Sequence, residues 1–250
     1  MLAALRRAGF DARGFDKRPL AQEGVSDDLS EVYGDTQTLI SVVRDIAETD
    51  ALLFDTQAFA GAPNLRRIIL CSTLSPRYVT ALRQRVPGHI TLIDAPMSGA
   101  QIAAQEARLS FMLGGSPEDL DAAQPLFAAM GAHFHRMGGY GSGMRAKVLN
   151  NLLAAANTAM TRLVLDWADA AGLDESKLLD LIHTSSGQNW FASGFDQIEF
   201  ARDGLRADNT IGILVKDVQS ALDAAPPGAD LSLPEAVTQQ IRSLKPRKRS

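Results

Sequence analysis

The 250-residue chain predicts an α/β protein in which a mostly parallel sheet, covered by helices, is followed by an all-helical part. Three observations carry that prediction. Up to about residue 138, short β-branch-rich apolar runs alternate with helix-like stretches that open on capping residues. From residue 143 to about 171 runs one long helical stretch, dense in Ala, Leu, Asn and Met, closed by Gly172. Everything after it has a helical pattern. A chain that is 46% apolar and 22% charged excludes global disorder, and at this length it hides roughly 70% of its unfolded surface.

The elements follow in order. Leu2, Leu5 and Ala8 mark one face of a short helix that Gly9 ends, and residues 10–16 read as a strand finishing on an acid. Residues 66–73 read as a strand buried on both faces of a sheet, because their central run Ile68-Ile69-Leu70-Cys71 is unbroken and apolar. Similar candidates lie at 38–43, 90–93, 108–113 and 132–137. Ser75-Pro76 and Ser116-Pro117 each place a capping hydroxyl before a proline at the first helical position, and Glu118 and Asp119 complement the second helix start. That second helix is expected to stop at Gly131 in a left-handed conformation. Beyond the long helix, Asp174 caps a helix over 174–184, and further helices are expected over 190–202 and 208–225. Pro226-Pro227-Gly228 then breaks the chain, and a last helix begins near Pro234. The change of pattern divides the chain into 1–142 and 143–250. The basic run Lys245-Pro246-Arg247-Lys248-Arg249 reads as a solvated, frayed end, with a phosphate contact as the minor option.

Composition narrows the function classes. With 25 Lys and Arg against 29 Asp and Glu, the net charge of −4 gives no reason to expect nucleic-acid or membrane binding. No apolar run approaches the ~20 residues that span a bilayer, and Leu2–Leu5 followed by Arg6-Arg7 is the wrong order for a signal peptide. Cys71 is the one cysteine, which excludes an internal disulfide, and it reads as packing rather than nucleophile. His133 and His135 would share a strand face but lack an evident third ligand, so no metal site is expected. These features describe a soluble, cytoplasmic protein.

The beginning of the chain is incomplete as a nucleotide-binding unit. Helix, strand, terminal Asp16 is the second half of a dinucleotide-binding βαβ unit, whose carboxylate accepts hydrogen bonds from ribose hydroxyls. The first half would be a strand and a Gly-x-Gly-x-x-Gly turn, which this sequence does not contain. That strand is central in such a sheet, so its loss would leave its neighbours without backbone partners. Either Met1 lies inside the first helix of a longer gene product, or the protein lacks the strand and its cofactor affinity is reduced.

Three segments carry the candidate chemistry. Asp94-Ala95-Pro96-Met97-Ser98-Gly99-Ala100 leaves a strand with a Ser-Gly pair that offers a hydroxyl and backbone N–H groups to a carboxylate; the ordinary alternative is a tight turn. Gly138-Gly139-Tyr140-Gly141-Ser142-Gly143 leads into the long helix, where Lys147 is followed at three and four residues by Asn150 and Asn151, all on one face. A partly buried lysine has its pKa lowered by desolvation and can exchange a proton with a hydroxyl or carbonyl. The alternative is a surface lysine with a capping amide. Lys216-Asp217-Val218, inside a later helix, is compatible with a plain solvated pair.

Together and in this order, the segments resemble the β-hydroxyacid dehydrogenase family, of the 3-hydroxyisobutyrate dehydrogenase and tartronate semialdehyde reductase type. The family's Asp-Ala-Pro-Val-Ser-Gly-Gly motif resembles residues 94–100, and its Gly-x-x-x-Lys-x-x-Asn-Asn motif is met by residues 143–151. Ser72-Thr73 and Lys216-Asp217-Val218 match by position. The resemblance implies a Rossmann-like domain, here without its first strand and Gly-rich loop, followed by an all-α domain, with the active site in the cleft between them. It implies Lys147 as general acid/base, with Ser98, Gly99 and Asn151 holding a small hydroxy acid. It places Thr73 at the nicotinamide side of NAD or NADP with Lys216 nearby, and Val43-Arg44 where a Leu-Pro often contacts the cofactor. Asp16 would favour NAD, against the pull of Lys17 and Arg18 on a 2′-phosphate. A homodimer or homotetramer is the family's habit. Ala100, Ala103 and Ala107 stand where glycines are expected and Arg108 where a Thr is usual, which narrows the wall of the site. Imine reductases share the architecture but commonly place another residue at position 147, so the lysine argues for hydroxyl or carbonyl chemistry. The rival expectation is a non-catalytic paralogue that binds a metabolite or partner.

Overall fold

The computed structural model describes residues 1–248, in two compact units, one running from Met1 to Lys147 and the other beginning at Val148. In the first, α1 (Leu2–Arg7) buries Ala4 and Leu5 and ends before Gly9, whose φ is +88°. Two short parallel strands follow, β1 (Gly14–Phe15) and β2 (Val25–Ser26), then α2 (Ser30–Tyr33). The strand expected over 10–16 is thus reduced to its last part, because β2 offers backbone partners to only two residues.

The main sheet is built from β3 (Thr38–Ser41), β4 (Arg67–Leu70), β5 (Thr91–Asp94), β6 (Met97–Ser98), β7 (Leu109–Gly114) and β8 (Gly131–Gly138). Its order is β3-β4-β5-β7-β6, with β8 also paired to β7. The first three strands are parallel, β7 runs antiparallel to β5 and β6, and β8 runs parallel to β7. Packed between them are α3 (Ile46–Leu53), α4 (Pro76–Arg85), α5 (Ala100–Gln105) and α6 (Pro117–Met130). The expected caps form: Ser75 Oγ accepts the Tyr78 N–H and Ser116 Oγ the Asp119 N–H. Ile68 and Leu70 of β4 enter one core with Leu53, Val79 and Leu82, while Ile69 enters the other with Ile93, Phe111 and Phe127. A strand that feeds both cores carries apolar residues at successive positions, as Ile68, Ile69 and Leu70 do.

The sheet is split. Phe15 and Leu39 pack on one core, Ala12 and Ile40 on the other, so β3 and the segment 12–15 that ends in β1 serve the same two layers. Yet they belong to separate sheets, and β3 ends the larger one. Among the described residues, β3 pairs with β4 on one side only.

Gly131 corrects an expectation. Its φ of −149° is extended backbone that starts β8, not a left-handed stop. Glycine is needed there because a Cβ would sit 2.4 Å from the Leu109 carbonyl oxygen and 2.8 Å from the Phe111 ring. The strand β6, absent from the sequence reading, is too short to show alternation.

Helix α7 (Ser142–Ala170) begins in the first unit and continues into the second. The second unit adds α8 (Glu175–Thr184), α9 (Trp190–Ser193), α10 (Thr210–Asp223) and α11 (Ser232–Arg242). Asp174 and Asn209 cap α8 and α10. The helix expected over 190–202 stops after one turn at Gly194, and the chain instead stacks Phe191 on Phe195 and Phe200 at ring distances of 5.7 and 6.1 Å. The basic tail is not frayed at Arg247: its side chain is 6% exposed and pairs with Asp166, Asp169 and Glu175. Arg249 lies outside the described residues. No helix among the described residues is long and apolar enough to cross a membrane.

Candidate active site

The lysine and the serine singled out in the sequence meet. Lys147 Nζ donates to Ser98 Oγ at 3.0 Å, and the lysine is only 7% exposed. Ser98 ends β6, and Gly99 follows with φ +135°. A Cβ at Gly99 would lie 2.5 Å from Ala103 Cβ, so this turn needs glycine for space as well as for backbone angle. Lys147 sits in the second turn of α7.

The start of α7 is held by groups on three neighbouring elements. Asp94, wholly buried at the end of β5, accepts the Gly141 N–H at 2.7 Å and the Met144 N–H at 2.5 Å through its two carboxylate oxygens. Burial pushes its pKa up to about 6, and the two backbone N–H groups oppose that rise. Met144 Sδ accepts the Leu74 N–H at 3.3 Å, and Tyr140 donates its hydroxyl to the Val79 carbonyl at 2.9 Å. Gly143 lets the helix approach, since a Cβ there would stand 2.3 Å from the Met112 carbonyl oxygen.

In the second unit, Asn151 donates to Asp217 Oδ2 at 2.6 Å and accepts from Asn150 at 3.2 Å. Lys216 Nζ lies 3.4 Å from Asp217 Oδ1, and Asp217 is 3% exposed. The pair is therefore solvated only at Lys216, whose side chain is 37% exposed. Asp217 is a residue that sequence reasoning passed over. The signal was there: it falls on the buried stripe of α10 with Leu214, Val218 and Ala221, where a carboxylate needs a partner. Asp94 was passed over in the same way, as a mere member of its motif.

A third group gathers beyond the carboxyl ends of β1 and β3. Asp16 accepts from the backbone and guanidinium of Arg18, which hold its carboxyl below the usual range. Arg44 donates its backbone N–H and guanidinium to Glu48, which Lys17 also approaches at 3.5 Å. Those hydrogen bonds bring Glu48 down to about 2. Val43 packs half-buried on the core, and Thr73 lies half-buried in the loop after β4. Ser41 Oγ and Ser72 Oγ, at or just past the ends of β3 and β4, are buried without a hydrogen-bond partner among the described residues. Open α/β sheets take ligands at this edge. Orphaned hydroxyls and a charged cluster suit a dinucleotide there. Arg18, seated on Asp16, offsets the charge with which that carboxylate would repel a 2′-phosphate. The arrangement therefore fits NAD or NADP at the adenosine and nicotinamide ends, while the glycine turn that cradles a pyrophosphate is not part of this sequence.

Comparison with known proteins bears on the family of the chain. Residues 1–139 match the NAD binding domain of 6-phosphogluconate dehydrogenase, and residues 141–248 match the NAD-binding domain of NADP-dependent 3-hydroxyisobutyrate dehydrogenase. The chain is 27% identical to L-threonate dehydrogenase of Cupriavidus necator over 89% of its own length and 78% of the relative's. It is 30% identical to 3-hydroxyisobutyrate dehydrogenase of Pseudomonas aeruginosa, covering 76% of this chain and 67% of that one. Against the Drosophila melanogaster mitochondrial 3-hydroxyisobutyrate dehydrogenase it spans 63% of the relative's length. The solved structure of the Mycobacterium tuberculosis 3-hydroxyisobutyrate dehydrogenase with L-serine superimposes with a TM-score of 0.80 at 25% identity, over 95% of this chain and 86% of that one. Two domain matches that meet at Tyr140 thus take in nearly every residue, and the chain belongs to the β-hydroxyacid dehydrogenase family of NAD(P)-dependent oxidoreductases.

Proposed function

We propose that the protein catalyses reversible hydride transfer between NAD(P) and the hydroxyl-bearing carbon of a small 2- or 3-hydroxy acid, with Lys147 as general acid/base. The observation that carries this is the buried lysine ammonium 3.0 Å from Ser98 Oγ. When bound, the nicotinamide supplies or accepts the hydride, and the protein supplies position and one proton. In the oxidative direction neutral Lys147 takes the substrate hydroxyl proton; in reduction its ammonium returns a proton to the carbonyl oxygen. Ser98 can accept from the ammonium while its own O–H, with the Gly99 N–H, binds the substrate carboxylate. Asn151, one helical turn after Lys147, offers an amide to the substrate hydroxyl. Asp16, Val43, Arg44 and Thr73 would hold the cofactor, with Lys216 at its nicotinamide side.

The same reading makes the protein a cytoplasmic homodimer or homotetramer. Leu149, Leu153, Met160 and Trp167, at 63%, 64%, 60% and 68% exposure, support the oligomer as an apolar stripe at near-heptad spacing on α7.

Turnover with a panel of small hydroxy acids, and NADH and NADPH titrations followed by fluorescence, test the proposal. Lys147→Ala should lower kcat by about 10²-fold or more and leave cofactor affinity within about twofold. A variant as active as the parent overturns the assignment. The separation of β1 and β2 from the main sheet favours a second reading, a non-catalytic relative that binds a metabolite or partner. Absence of any NADH or NADPH binding would select it.

A further inference from the structure

Asp94 has no place in the proton path just described, yet it is the most deeply buried carboxylate beside it. Both of its oxygens accept backbone N–H groups from the segment that opens α7, at Gly141 and Met144. Lys147 lies three residues beyond Met144, less than one helical turn, and Ser98 lies four residues beyond Asp94 on the chain that leaves β5. One carboxylate therefore joins the two segments that deliver the lysine and the serine.

We propose that Asp94 is a positioning residue for the proton relay: by tying the first turn of α7 to the end of β5, it sets the distance between Lys147 Nζ and Ser98 Oγ. This rests on the proposed role of Lys147.

The choice of residue follows from its acceptor count. An asparagine has one side-chain oxygen and could take only one of the two N–H groups, leaving the other buried and unpaired. The space is shaped for a carboxylate as well. A Cβ on Gly114 would meet Asp94 Oδ1 at 2.2 Å, and one on Gly143 would stand 3.0 Å from Oδ2. Burying a charge is costly, and it is retained here where two acceptors are needed at once. The ionisable groups that act on it are Arg145 on α7, whose charge favours the ionised form, and Tyr140 in the approach to α7. Burial outweighs them and leaves the carboxyl titrating at about 6. Protonation then blocks one oxygen and releases one of the two ties.

The test observes Lys147 directly. The protein is labelled at lysine Cε, and the Lys147 NMR signal is identified by its loss in Lys147→Arg. In the parent, that signal should show an inflection near pH 6, and kcat should fall below it. In Asp94→Asn the inflection should vanish, and kcat should drop tenfold or more across the range while the KM for NADH moves less than twofold. A parent signal with no inflection near that pH overturns the proposal, and so does an Asp94→Asn protein with parental kcat and Lys147 signal. Should Asp94→Asn not fold, the parent titration decides alone. Because the NMR arm needs no turnover, failure of the dehydrogenase reading would leave it intact and distinguishable.

Discussion

Gly143 is the residue through which packing and chemistry can be tested together. An alanine Cβ there would stand 2.3 Å from the Met112 carbonyl oxygen, 2.9 Å from the Asp94 carbonyl oxygen and 3.0 Å from Asp94 Oδ2. Ordinary contact begins near 3.4 Å, so the worst approach falls short by about 1 Å, against backbone atoms of β5 and β7 that cannot swing away. Replacing a helical glycine with alanine contributes about 1 kcal/mol through helix propensity. Forced overpacking costs about 3 kcal/mol or more when the neighbours are rigid. The clash wins by about 2 kcal/mol, which for a protein of this size lowers Tm by about 4 to 8 °C. If the helix instead moves away, Lys147 moves with it, and a displacement of about 1 Å can cost on the order of 10²-fold in rate. Thermal melting by circular dichroism, together with kcat, reads both outcomes. Gly139→Ala is the control, since a Cβ there has nothing within 4 Å. A Gly143→Ala protein that melts and turns over like the parent would refute the reasoning.

Two further outcomes follow from the charged groups. The pKa of Asp94 is raised by burial from 3.8 to about 6, so the folded state holds this proton more tightly than the unfolded chain. The stability it contributes is full below pH 4, declines by about 3 kcal/mol as pH rises through 6, and is level above. Urea midpoints measured against pH should show that decline in the parent and not in Asp94→Asn; identical slopes would sink the assignment. Arg18 lies on Asp16, so Arg18→Ala should free the carboxylate for a ribose hydroxyl and set it against a 2′-phosphate. The NADH-over-NADPH ratio of kcat/KM should rise on the order of tenfold, and an unchanged ratio would show that this pair does not govern the choice.

Much of this could be read locally. Ser75-Pro76, Ser116-Pro117 and Asp174 announce their helices because a cap acts within three residues of itself. The placing of Lys147 four residues after Gly143 was legible for the same reason. Other features were not. Gly131 does end its helix as read, but not in a left-handed conformation: its need for glycine comes from Leu109 and Phe111 on another strand. Arg247 looked like a loose end, but its partners are Asp166, Asp169 and Glu175, far back in the chain.

From sequence alone came the order of elements, the change from α/β to all-α near residue 143, and the lysine with its serine turn. Each depends on period, caps and spacing within one segment. The tertiary structure alone decided that the sheet is split at β3, that Asp94 is buried against the start of α7 and Asp217 against Asn151, and that Arg18 covers Asp16. Nearly all of these depend on which distant groups arrive at hydrogen-bond distance, and the desolvation that makes such a pairing matter exists only once the chain has closed around it.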